Sequence, residues 1–166
     1  MTKALTWLKA NAPGFSNLSE EEQAAISDFA LLWGLFESRM LNTNASTRAI
    51  CAAVDAWNNI GGLEPELFAV ELAYFRQRYH PNGDFSPHFD GLHLRRADSK
   101  AMVRAVLNGS DDDLRHRTAA ALIIVFRYRN NLFHGLKWEY ELADQLDNFN
   151  AANSILMKAL DRYGVR

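Results

Sequence analysis

Cysteine appears once in this chain, at Cys51, and that thiol sits among apolar neighbours. A disulfide framework and a cysteine-built metal site are both excluded, and packing is the expected role of the side chain. Long apolar runs are also missing. The longest covers the eight residues from Ala119 to Phe126, far short of the ~20 that a membrane-spanning helix needs. The opening "MTKALTWLKANAPG" lacks the apolar core of a secretory signal peptide. No alternating apolar–polar segment reads as a strand, and no internal repeat or low-complexity tract occurs. Gly61-Gly62 is not followed by Lys-Ser/Thr and succeeds a helical stripe, so no phosphate-cradling glycine loop is present. No serine stands in a nucleophile-elbow pattern. The expectation from these absences is a soluble, cytoplasmic protein with no membrane partner and no cofactor.

What is present suits one packed domain over residues 1–166. The chain is 48% hydrophobic and 23% charged, and ten Phe, five Tyr and four Trp supply ample surface to bury. Net charge is −2 but unevenly spread. Residues 1–75 hold four Lys/Arg against nine Asp/Glu, residues 76–129 hold ten against six, and residues 130–166 hold four against five. The middle third is thus basic enough to face a polyanion, although a solvated face explains it equally well.

Helix signals recur along the chain. Ser19 and Glu22 form a capping box, and Ile26, Phe29, Trp33, Phe36 and Met40 follow at helical spacing until "NTN" at 42–44. Ser46 caps a second stripe (Ile50, Val54, Trp57) that stops at Gly61-Gly62. Pro65 suits a first helical position ahead of Phe68, Leu72, Phe75 and Tyr79. Residues 80–97 are irregular, since two prolines and two glycines forbid a regular helix there. Asp98 or Ser99 opens a short helix ending at Asn108-Gly109, and Ser110 with Asp113 forms a capping box for a long one. Gly135 is placed to terminate that helix as a C′ residue, and a final helix carries Leu142, Leu146, Phe149, Leu156 and Leu160. The fold class expected is an all-α, up-and-down bundle of about five to seven helices.

Candidate chemistry falls in two places. In the irregular stretch, His80, His88 and His93 with Asp84 and Asp90 match none of the compact metal-binding spacings, so no metal is expected and the residues are solvated or contact a substrate. The second place is "RYRNNLFHGLKW", residues 127–138, which follows the apolar run directly. Arg127 and Arg129 near a helix C-terminus complement its dipole, and His134-Gly135 caps it. The same residues also carry phosphate chemistry. A guanidinium stays charged and grips phosphate oxygens through two parallel hydrogen bonds, and a histidine gives or takes a proton near neutral pH. Those two tools cleave RNA by removing the 2′-OH proton and stabilising charge on phosphorus. Glu37, within "FALLWGLFESRML", sits at the edge of an apolar face, as an i,i+4 partner, a solvated residue or a supporting acid.

The segment "RNNLFH" resembles the signature of the HEPN superfamily, in which Arg, four to six residues and His mark a small α-helical protein. Here the motif is Arg129, Asn130 and His134, and the helical pattern that accompanies it covers most of the chain. The resemblance implies a dimerising helical bundle and, in many members, a metal-independent endoribonuclease acting in toxin–antitoxin pairs, phage defence or RNA processing. Arg129 would then bind and polarise the scissile phosphate, His134 would act as general acid/base, and Asn130 would orient one of them or contact RNA. Arg127, Arg95, Arg96, His93 and Lys137 are candidate substrate contacts. Some family toxins carry a tyrosine two residues after the histidine that a partner nucleotidyltransferase modifies. That position is Leu136, and the nearest tyrosine is Tyr140. Other members only bind, so a non-catalytic module for RNA, nucleotide or protein is the alternative expectation. A helical interaction protein whose motif is merely a cap is a third.

Overall fold

The structure is a computed structural model that describes residues 1–135, 142 and 144–164. Eight α-helices run through them: α1 (Lys3–Asn11), α2 (Glu20–Met40), α3 (Thr47–Asn59), α4 (Ala69–Tyr79), α5 (Pro87–Asp90), α6 (Lys100–Leu107), α7 (Leu114–Phe133) and α8 (Leu146–Tyr163). No strand occurs among the described residues, and no helix there is long and apolar enough to cross a membrane. The all-α helical bundle expected from the stripes is the fold observed.

Residues Thr118 to Tyr128 of α7 are all buried, so this stretch meets protein on every side and the other helices pack around it. Trp33 of α2 lies 5.9 Å from Phe126 between ring centroids, and Phe75 of α4 lies edge-on to Tyr128 at 6.1 Å. Helix α8 runs antiparallel to α2. Asn153 donates to the Ala25 carbonyl at 3.0 Å, and Phe149 meets Phe29 at 5.1 Å. Buried Glu71 of α4 accepts from Ser154 and Lys158 of α8 at 2.5 and 2.6 Å, which compensates its carboxylate.

Local chemistry explains most boundaries. The Ser19 hydroxyl accepts from the Glu22 amide while the Glu22 carboxylate accepts from the Ser19 amide, and Ser46 accepts from Ala49. Gly135, at φ +82°, closes α7 in the left-handed region. Among the described residues nothing lies within 4 Å of a Cβ added there, so backbone conformation and not space requires the glycine.

Three expectations need correction, and the eight helices add α1 and the one-turn α5 to those that the stripes mark. Pro87 opens α5 without penalty, since the first amide of a helix has no intrahelical acceptor. Ser110 does not cap α7: its hydroxyl donates to Ala105 at the end of α6, and the Asp113 carboxylate accepts from His116 instead. Pro65 sits inside a turn closed by Leu67 on Glu64, and α4 starts only at Ala69. Leu142 is buried but sits at φ +56°, ahead of the final helix.

The 80–97 stretch is tied down through its side chains. Phe89, Leu92 and Leu94 are buried, and the Arg104 guanidinium lies 4.0 Å from the Phe85 ring centroid. Its far end is held by an ion pair: the Arg127 Nη1 donates to Asp98 Oδ2 at 3.3 Å, with the two side chains 6% and 11% exposed. Removing one partner strands a buried charge. Asp98→Ala is therefore expected to lower unfolding free energy by about 3–5 kcal/mol in chemical denaturation. A loss below about 1 kcal/mol would show that Arg127 reaches water without help.

Candidate functional site

The polar motif begins where α7 leaves the core. Arg129 is half-buried, and its Nη1 donates to Asn130 Oδ1 at 3.0 Å. Its Nη2 lies 3.9 Å from Glu37 Oε2, and its guanidinium carbon stands 5.6 Å from the Phe133 ring centroid. Nε is buried and has no hydrogen-bond partner among the described residues. The guanidinium is thus held by three neighbours while keeping donors to spare.

Glu37 is more than a solvated edge residue. Its Oε2 accepts from the Trp33 indole at 2.7 Å, an i,i+4 pair, and its Oε1 accepts from the Ala45 amide at 3.3 Å. The carboxylate joins α2, the following turn and Arg129.

His134 is exposed and forms the C-cap of α7 at φ −87°, ψ 7°, its amide donating to Asn130 at 2.9 Å. No hydrogen bond to its ring occurs among the described residues. Five residues of α-helix turn by roughly 140° and rise about 7.5 Å. Arg129 faces α2, whereas Arg127 and Asn131 face the loop: Asn131 donates to the Gly91 carbonyl at 3.2 Å. Seven residues after Arg127 and three after Asn131, His134 comes up by helical spacing on that loop side. One chain therefore divides the Arg129–His134 pair between two faces of the helix.

The remaining candidates separate. Arg127 is buried, with Nε donating to the Leu92 carbonyl at 3.1 Å, so it holds the loop and does not present a surface for RNA. Burial pulls its pKa below the ordinary arginine value, Asp98 opposing and Arg95 adding to the shift. Arg95, Arg96 and His93 are exposed. Lys137, Leu136 and Tyr140 lie outside the described residues. Among the described residues, no group of three or more His, Cys, Asp or Glu is placed to hold a metal ion.

A separate cavity of about 460 Å³ opens beside the loop, lined neither by Arg129 nor by His134. Arg78, Tyr79, Leu92, Tyr128 and Asn148 are among its walls. Burial raises the pKa of the Tyr79 and Tyr128 hydroxyls, which therefore stay protonated, and the two are hydrogen-bonded to each other. Sequence pattern missed this centre because Tyr79 falls within an apolar helical stripe and reads as packing.

No family model, curated protein or solved structure matches this chain.

The Glu37 bridge yields a graded expectation. Glu37→Ala leaves the Trp33 donor without an acceptor and is expected to cost about 1–3 kcal/mol of stability. Glu37→Gln keeps an acceptor and loses less. Equal losses in denaturant titrations of the two variants would mean that the charge on Glu37, and not its hydrogen bonds, carries the effect.

Proposed function

We propose that the chain is a metal-independent endoribonuclease of the HEPN type. The observation that carries this reading is the pairing at the end of α7. A half-buried Arg129 is steadied by Asn130 and Glu37, with spare donors, and an exposed His134 follows on the same helix. The 2′-oxygen attacks phosphorus as its proton passes to a base. The P–O5′ bond breaks, the leaving 5′-oxygen takes up a proton, and the product ends in a 2′,3′-cyclic phosphate. Arg129 offsets the charge gathered on the phosphoryl oxygens. Asn130 positions Arg129, and Glu37 positions it from the opposite side.

One histidine serves one proton transfer at a time, and Arg129 and His134 sit on different faces of α7. Both points support a two-fold dimer in which the Arg129 of one copy and the His134 of the other share a phosphate. Phe133, 56% exposed between the motif residues, supplies an apolar contact for such an interface. Exposed Arg95, Arg96 and His93 extend a basic surface for the RNA. A cytoplasmic setting, with an antitoxin or nucleotidyltransferase as regulator, belongs to the same proposal.

A second reading is a non-catalytic module that binds RNA, nucleotide or protein at this surface. The absence of any hydrogen bond orienting the His134 ring within the described chain favours it.

His134→Asn separates the two readings. Cleavage is expected to fall by about 10²–10⁴ while RNA binding persists. Wild-type activity should survive excess EDTA and vanish on a substrate with hydrogen in place of the 2′-OH. Undiminished cleavage by His134→Asn would remove the histidine from the chemistry.

Two further outcomes are expected. Phe133→Glu should give folded monomers by light scattering with little cleavage, and a monomer as active per chain as wild type would contradict the shared site. Replacing Arg95 and Arg96 together should reduce the slope of log affinity against log salt by up to about 2. An unaltered slope would place the loop away from the RNA.

A further inference from the structure

The cavity beside the 80–97 loop has a chemistry that the ribonuclease reading does not use. Its volume, about 460 Å³, lies in the range that encloses a small organic molecule. The floor is closed to charge. Tyr79, Tyr128 and Asn148 are buried, and their polar atoms are engaged with neighbours: Asn148 Oδ1 accepts from Tyr128 at 3.1 Å and from Tyr74 at 2.8 Å, while its amide nitrogen donates to Gln145 at 3.0 Å. Buried Leu92 and Leu142 complete apolar walls.

Inside this chamber stands Arg78, its side chain 14% exposed. A guanidinium offers five N–H donors. Nη2 donates to the Asp144 carbonyl and carboxylate, both at the long distance of 3.3 Å, and the neutral Tyr74 and Tyr79 hydroxyls also face the guanidinium. Nε is buried and unpaired among the described residues. The Asp144 side chain is 75% exposed, on a residue at φ +54°. The cation is therefore sheltered while its counter-ion is screened by water, so the interior favours negative charge more than Asp144 satisfies it. Asp90, the other carboxylate among the described lining residues, is exposed at the rim, as are His88 and His93. An adjoining groove shares Arg78 and His88 and carries Asp147, exposed to water, and it gives a ligand head a path to the guanidinium.

We propose that this cavity binds a small organic anion, a carboxylate or phosphate monoester on a flat or apolar body, whose charged head replaces Asp144 on Arg78. The body fills the chamber between the tyrosines and leucines, and the exposed histidines flank the head. The site stands independently of the ribonuclease reading, because Arg129 and His134 take no part in it.

Calorimetric titration of the whole protein with benzoate, phenyl phosphate, inorganic phosphate and neutral benzyl alcohol tests the proposal. One of the two aromatic anions is expected to bind at least about tenfold tighter than benzyl alcohol, and the better of them identifies the head group. Inorganic phosphate should bind more weakly than phenyl phosphate, for want of a body. Arg78→Met should abolish the preference for charge, and Arg129→Ala should leave it intact. Because Arg78→Met also removes a half-buried side chain, Asp144→Asn supplies a second arm that perturbs only an exposed carboxylate. It takes away the competing charge while the Asp144 carbonyl still accepts from Arg78, and should tighten the anion by about two- to fivefold, the range an exposed ion pair spans, with benzyl alcohol unchanged. Equal affinity for charged and neutral probes, no binding below about 10 mM, or an anion affinity unmoved by Asp144→Asn would overturn the proposal. So would binding of single-stranded RNA that depends on Arg78 while neither aromatic anion binds, which would make the cavity part of an RNA path.

Discussion

A guanidinium buried in the core has to be paired, and the pairing of Arg127 settles much of the molecule's geometry. Its partner Asp98 also accepts from the Thr47 hydroxyl at 3.1 Å and from the Arg95 amide at 2.9 Å. One carboxylate thereby joins α3, the end of the 80–97 loop and α7. The Leu92 carbonyl, which accepts from Arg127 Nε, faces Asn131 as well, at 3.4 Å. The loop is consequently fixed against the last two turns of α7, the turns that carry the motif. Its inner face walls the cavity at Leu92, and its outer face displays Arg95 and Arg96. Losing the ion pair would release both surfaces together, so the two candidate sites depend on one buried contact.

Burial also decides where chemistry is possible along α7. From Thr118 to Tyr128 the helix is enclosed, and a polar side chain there is tolerated only with partners, as Arg127 and Thr118 are. Arg129 is the first cation past that enclosure, and the helix ends four residues later. The proposed reaction uses that short exit. One guanidinium is steadied from the core side by Glu37, and one imidazole projects from the cap. Their separation around the helix makes a second copy of the chain the natural source of the missing half.

Much of this was legible in the residues themselves. The Ser19–Glu22 capping box, the apolar spacing and the terminal glycines read correctly because each is a local rule, satisfied within one or two turns. Ser19 with Glu22, Ser46 and Gly135 all behave as their neighbours dictate. What could not be read was long-range. Arg127 looks like a dipole-complementing cation from its place near a helix end, and only the distant Asp98 reveals that it is buried. Tyr79 and Tyr128 lie 49 positions apart, with Asn148 twenty further on, so no spacing rule joins them into a cavity floor. Glu37 was ambiguous for the opposite reason: Trp33 was within local reach, but its contact with Arg129 required the tertiary fold. At Ser110 and Asp113 two local rules competed, and the carboxylate, a stronger acceptor than a hydroxyl, took the cap.

The proposed ribonuclease acts at the end of α7, through its own side chains and the 2′-OH. The termini left on a defined RNA by the purified protein test it most directly, read by mass spectrometry in the presence of EDTA. A 2′,3′-cyclic phosphate on one fragment and a 5′-hydroxyl on the other are expected, because the 2′-oxygen displaces the 5′-oxygen. A 3′-hydroxyl with a 5′-phosphate would mean that water, and not the ribose, attacked phosphorus, and would contradict it.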